Sequence, residues 1–169
     1  MCENYPTQFV AIRYHAWWPH SSDPYYRYNI AENRARIEYY PPHPDGNRYT
    51  PYAWIDGNIR GAYNYNSWLS MVIGRHRDPS PLEIQLSGMY GQDNREGILV
   101  IDILATDNIP YDELHIMIAL TESNIYGRYN GDNGTAYHNQ TMRDMIPGAT
   151  GTIISISEGE SIQLIQEFS

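Results

Sequence analysis

The sequence predicts an α+β chain in two parts, an α/β half over residues 1–79 and an antiparallel β half over residues 80–169. Three observations predict it. An apolar run at 8–15, a helix-like segment at 31–40 and a short apolar stretch at 51–56 alternate strand and helix patterns. Asp78-Pro79-Ser80-Pro81 is the clearest breaker in the chain. Beyond it strand patterns recur between polar turns, as in a small β-sandwich.

Taken in order, residues 1–7 have the character of a helix end and a turn closed by Tyr5-Pro6. Residues 8–15 contain the run Phe9, Val10, Ala11 and Ile12, expected of a strand buried on both faces. Asp23-Pro24 pairs a good N-cap with a proline at the first helical position. An interruption near Asn29 separates this turn from a helix over 31–40, in which Glu32 and Arg36 are spaced for an ion pair. The proline-rich segment 41–46 must end that helix. Residues 51–56 form a short strand, Asp56-Gly57 a hairpin turn, and 59–62 the partner strand. A helix over 66–77 carries Trp68, Leu69, Val72 and Ile73 on one face. After the breaker, strands are expected at 82–89, 97–106, 114–122, 152–156 and 161–168, with a long polar loop over 125–141.

The net charge of −9 argues against nucleic acid and anionic membranes as partners. No apolar stretch is long enough to span a membrane. All eleven basic residues are arginine, and there are sixteen tyrosines. Either a compositional bias of the lineage or a surface that packs against copies of itself accounts for this, since interfaces enrich Tyr and Arg and deplete Lys. Cys2 is the single cysteine, so no internal disulfide forms, and the neighbouring Glu3 disfavours its thiolate. The polar residues after Met1 carry no secretory pattern.

Several segments together carry a likeness. They are Tyr5-Pro6, the run IRYHAWWP at 12–19, ENRAR at 32–36, TPYAWIDG at 50–57, and YHNQTMRDMIPGATG at 137–151. The chain resembles bacterial secreted or outer-membrane-associated thioredoxin-like proteins in which a thioredoxin-like domain precedes an Ig-like β-sandwich. The likeness covers nearly the whole chain, and the Thr-Pro and HNQTMRD segments are its more specific parts. It implies an extracellular, periplasmic or cell-surface location, and it makes Thr50-Pro51 the cis-proline loop that faces the dithiol in redox members. This chain departs from the pattern by having no Cys-x-x-Cys, and Cys2 falls in the wrong place for either cysteine. The first strand and the dithiol helix are expected to be missing, and the sandwich to be short of its last strand. An open sheet edge of that kind is sticky and invites strand addition by a neighbour.

The expected function is a non-catalytic structural or binding protein that self-associates through β-edges and tyrosine-rich faces, as a homo-oligomer or with a protein partner. Two alternatives stand beside it. One is the remainder of a thiol-disulfide oxidoreductase whose dithiol lies upstream. The other is a metal or small-ligand binder near His15, His20 and His43.

The candidate partner-binding residues are Thr50 and Pro51 of the proline loop, Trp17 and Trp18, which equally suit a hydrophobic plug between helix and sheet, and Tyr25 and Tyr26, which with Tyr28, Tyr39-Tyr40, Tyr63 and Tyr65 offer stacking rings. The competing account is that half of these rings face the core. His15, His20 and His43 could hold a transition metal, although their spacing matches no compact ligand motif. Asn130, Asp132 and Asn133 form an Asx-Gly loop with a superficial likeness to a calcium site. That loop lacks the twelfth-position Glu and the flanking helices of an EF-hand, and an ordinary turn cluster has the same composition. No cofactor is otherwise expected. Asn139-Gln140-Thr141 is an N-glycosylation sequon.

Overall fold

The computed structural model describes residues 9–61, 64–127 and 136–169, apart from the side chain of Tyr65. The described chain is α+β, with short helices and mostly antiparallel strand pairs. Its elements are α1 (Pro24–Tyr28), α2 (Ile30–Tyr39), β1 (Trp54–Ile55), β2 (Ile59–Arg60), α3 (Tyr65–Arg75), β3 (Leu82–Gly91), β4 (Glu96–Ala105), β5 (Leu114–Ile116), β6 (Ile118–Glu122), β7 (Ile125–Tyr126), β8 (Tyr137–His138), β9 (Thr141–Ile146), β10 (Thr152–Ile154) and β11 (Ser161–Phe168). The chain divides into two compact units. The first comprises Met1–Asp78 and Ala119–Asp144, the second Pro79–Ile118 and Met145–Ser169. The first crossing falls at the Asp78-Pro79 breaker. The later ones fall within β6 and β9, where the sequence has no breaker.

In the first unit, Asp23 caps α1 by accepting the Tyr25 and Tyr26 N–H groups at 2.8 and 3.4 Å. Asn29 ends α1 and caps α2, its Oδ1 accepting from the Glu32 N–H at 3.2 Å. The helix stops before the prolines, as expected, and Arg48 then reaches back to it. Its guanidinium donates to the carbonyls of Ile37 and Tyr40, both at 2.7 Å, and so covers the exposed end of α2. The β1–β2 hairpin turns through Asp56 and Gly57, both at positive φ. Asp56 also binds Arg75 of α3 at 2.7 Å. The α3 helix approaches so closely that a Cβ on Gly61 would strike the Trp68 ring. Trp68, Leu69 and Val72 are half-buried, whereas Ile73, expected on the same face, is exposed.

The expected strand at 8–15 is a correction. Among the described residues of that run, backbone pairing is confined to one parallel bridge, Arg13 with Thr141. Val10 is 88% exposed and Ile12 is also exposed, so the run is not buried on both faces. An apolar run selects a strand only when neighbouring strands flank it, and among the described residues this run has a neighbour on one side only.

The second unit contains the antiparallel sheet β11-β4-β3 and the antiparallel pair β5-β10. Ile101, Ile103 and Ala105 of β4 pack with Ile154 and Ile156, and Leu114, Ile116, Ile162 and Leu164 close around them. The expected single strand at 114–122 is split into β5 and β6 at Met117, and the two parts pair with different strands. The polar stretch 125–141, expected as loop, carries the β7–β8 pair.

Candidate functional site

Two places concentrate side chains or backbone groups that could engage something else. The first is a polar and aromatic cluster in the first unit. Asp23 divides its carboxylate: Oδ1 caps α1, and Oδ2 lies 2.9 Å from His15 Nδ1. Burial opposes ionisation of Asp23. The His15 hydrogen bond and charge and the two backbone N–H groups outweigh it, and the carboxyl is held below its ordinary range. The Tyr25 ring lies 4.9 Å from His15 and 4.3 Å from His138, and burial followed by the Asp23 charge raises the Tyr25 hydroxyl pKa.

Asn33, fully buried, ties this cluster together. Its Oδ1 accepts the His15 N–H at 2.9 Å, and its Nδ2 donates to the carbonyls of Asn29 at 2.9 Å and Tyr25 at 3.4 Å. Asn29 Nδ2 donates in turn to Glu32 at 2.6 Å and to the Arg143 carbonyl of β9 at 3.2 Å. Arg143 binds Glu122 of β6 at 2.7 Å and stacks on Tyr28 at 4.4 Å. Arg36, also buried, lies over the rings of Tyr39 and Tyr40 and near Tyr14, whose hydroxyl pKa burial raises.

The sequence-selected residues separate within this geometry. Tyr25 and Tyr26 are buried, so they serve the core and not a stacking surface. Trp17 and Trp18 are half-buried and meet edge to face at 4.6 Å, with Arg34 over Trp17 at 5.1 Å. Thr50 and Pro51 are exposed, joined by a cis bond. His15 is bound to Asp23. His20 is exposed ahead of α1, and His43 lies 3.1 Å from Asp45 without the geometry of a hydrogen bond. Among the described residues, no three or more His, Cys, Asp or Glu side chains converge as metal ligands, so the trio is not brought together. The Tyr49 hydroxyl and the Asn47 N–H hold Asp45 down to about 2. Asn130, Asp132, Asn133 and Cys2 lie outside the described residues. In the sequon at 139–141, Thr141 is fully buried, and the half-buried Asn139 accepts the Asn124 N–H through its Oδ1 at 2.8 Å.

The second place is the free side of β3. The Thr106 N–H donates to the Pro81 carbonyl at 2.9 Å, one register step beyond Leu82↔Ala105. Because bonded and non-bonded pairs alternate in an antiparallel ladder, Glu83, Gln85, Ser87 and Met89 bond to β4. Leu82, Ile84, Leu86, Gly88 and Tyr90 therefore turn their N–H and C=O groups to the open side. Leu82 confirms the parity: its N–H donates to the Ser80 hydroxyl at 3.2 Å, and that hydroxyl donates to the Leu82 carbonyl at 2.8 Å. The same five residues share the sheet face of buried Ile101 and Ile103. On that face Ile84, Leu86 and Tyr90 are 54, 66 and 56% exposed. The β5–β10 pair covers β4 and β11 but not this part of β3.

The opposite edge differs. Ile162, Leu164 and Phe168 of β11 are half-buried on the core face. By the same parity, the residues of β11 that turn outward are Ser161, Gln163, Ile165 and Glu167, and these are mostly polar or charged. Glu83 is the only charged residue in β3, which has neither proline nor lysine. Natural edges are ordinarily protected by such residues.

Sequence reasoning placed an open edge at a missing last strand and not at β3; it missed Asn33 and Arg48, and it gave Arg36 only a spacing for an ion pair with Glu32. The available signal for Asn33 was a poor helix former inside an otherwise favourable helix. No helix among the described residues is long and apolar enough to cross a membrane. No family model, no curated protein and no solved structure matches this chain.

Proposed function

We propose that this chain is a non-catalytic structural protein that self-associates through the open sheet of its second unit. The observation that carries the reading is the coincidence, at Ile84, Leu86 and Tyr90, of unpaired edge backbone with exposed apolar side chains on the core face. The single cysteine supports the non-catalytic part, because the chain cannot itself supply a dithiol. The finer architecture belongs to the same proposal: a thioredoxin-like half followed by an Ig-like sandwich, in an extracellular, periplasmic or cell-surface setting. The order α2, Thr50-Pro51, β1–β2 hairpin and α3 supports its first half.

Light scattering over a concentration series tests the reading. The wild-type chain is expected to rise to at least twice the single-chain mass. Leu86→Glu, which places a charge on an exposed position, is expected to hold the single-chain mass with an unchanged circular dichroism spectrum. A wild-type chain that keeps the single-chain mass throughout overturns the reading.

A further inference from the structure

We infer that the free edge of β3 pairs antiparallel with β3 of a second copy of this chain, in the register that sets Ile84 opposite Tyr90 and Leu86 opposite Gly88. The inference rests on the self-association proposed above and names its strand, symmetry and register.

An antiparallel pairing of one strand with its own copy is two-fold symmetric, so the interface is self-complementary. Backbone bonds form only where an outward-turned residue faces another outward-turned residue. Among the described residues, no partner engages the outward groups of Ile84, Leu86, Gly88 and Tyr90, whereas Ser80 engages both backbone groups of Leu82. One register pairs all four. It joins Ile84 to Tyr90 and Leu86 to Gly88, and the axis passes between the two Ser87 residues. Sliding by two residues sets Tyr90 against the occupied Leu82, or Ile84 against the turn after Gly91. Sliding by one sets outward residues against inward ones, and the bonds are lost.

The side chains fit this register. Ile84 opposite Tyr90 is a β-branched and aromatic pair, a favourable cross-strand combination. Leu86 covers Gly88, which has no side chain to oppose it. Glu83 faces Gly91, so the two carboxylates lie at opposite ends of the interface. That separation matters in a chain with a net charge of −9, where most juxtapositions of two copies bring like charges together. Tyr90 is already braced on its own sheet, its ring stacked with Phe168 at 6.1 Å across Gly97. The result is one continuous sheet in the order β11-β4-β3-β3-β4-β11. At β11, the outward-turned Glu167 and polar neighbours give no comparable self-pairing.

Disulfide trapping in the full chain, with Cys2→Ser as background, tests the register. The two Ser87 Cα atoms fall about 4.5 Å apart as a non-bonded pair, within reach of a disulfide. The two Gln85 Cα atoms are offset by four residues, about 13 Å, and out of reach. Both positions are exposed on the outer sheet face. On mild oxidation, Ser87→Cys is expected to give a linked dimer as the main product, and Gln85→Cys to remain unlinked. If scattering shows association but Ser87→Cys does not link, or both variants link alike, this pairing is overturned and self-association through another surface stands. If the wild-type chain has the single-chain mass at every concentration, the pairing and the self-association reading both fall.

Discussion

The two units bury different chemistry. Among the described residues, the buried polar or charged side chains Asn33, Arg36, His138 and Thr141 all belong to the first unit. The buried isoleucines Ile101, Ile103, Ile146, Ile154 and Ile156 belong to the second, and the first has only Ile55. One unit is thus held by directed bonds among caps, amides and stacked rings. The other is held by aliphatic area and long ladders. Directed bonds specify one arrangement but are costly when one partner is removed, because the other is left buried and unpaired. Aliphatic area is graded and indifferent to pH, but it depends on being covered. The second unit's exposed β3 face is the part of that area left uncovered.

Three substitutions sharpen this contrast, read by hydrogen exchange resolved along the chain together with chemical denaturation. Ile103→Ala is expected to have the largest effect, about 2–5 kcal/mol, because it removes a side chain that is 1% exposed and leaves a cavity. The loss of protection should be confined to β4, β10 and β11. Protection lost equally across residues 9–39 would show that the units do not respond separately. Asn33→Ala follows. It leaves the His15 N–H and the Tyr25 carbonyl without the side chain that bonds them, whereas the Asn29 carbonyl keeps the backbone N–H of residue 33, at about 1–3 kcal/mol for a buried group left unpaired. Exchange should accelerate at 15–39, leaving β4 unchanged.

Asp23→Ala is the smallest, at about 0.5–2 kcal/mol for the cap. Its pH dependence is the sharper observable. The folded Asp23 pKa lies below its unfolded value, so the ionic part of its contribution is fully present above about pH 3.9. It is lost as pH falls through the folded pKa. The gap between wild type and variant should therefore narrow on acidification, whereas the deficit of Ile103→Ala should not show this narrowing. A constant Asp23→Ala gap from neutral pH to pH 2 would remove the ionic component from the account.

Local signals were legible wherever the physics is local. Asp23-Pro24 starts a helix, the prolines after Tyr40 end one, and Asp56-Gly57 turns a hairpin, each as its residues dictate. The strand β4 was legible as an apolar run between polar turns. The apolar run at 9–12 misled because composition does not reveal whether a strand has neighbours. The metal reading of His15, His20 and His43 misled for a similar reason, since spacing in the chain does not bring side chains together. The role of His15 came from Asp23, Asn33 and a ring contributed by His138.

The sequence by itself determined the caps, breakers and turns, and the division of the chain between α/β and β patterns. These depend on residues within a few positions of one another. Only the tertiary structure decided that residues 119–144 join the first unit, where Arg13 pairs with Thr141 and Asn29 reaches Arg143. It alone decided that β4 lies at the centre of its sheet and β3 at the edge. Which backbone groups remain free depends on who pairs with whom across long separations, and no local pattern encodes that parity.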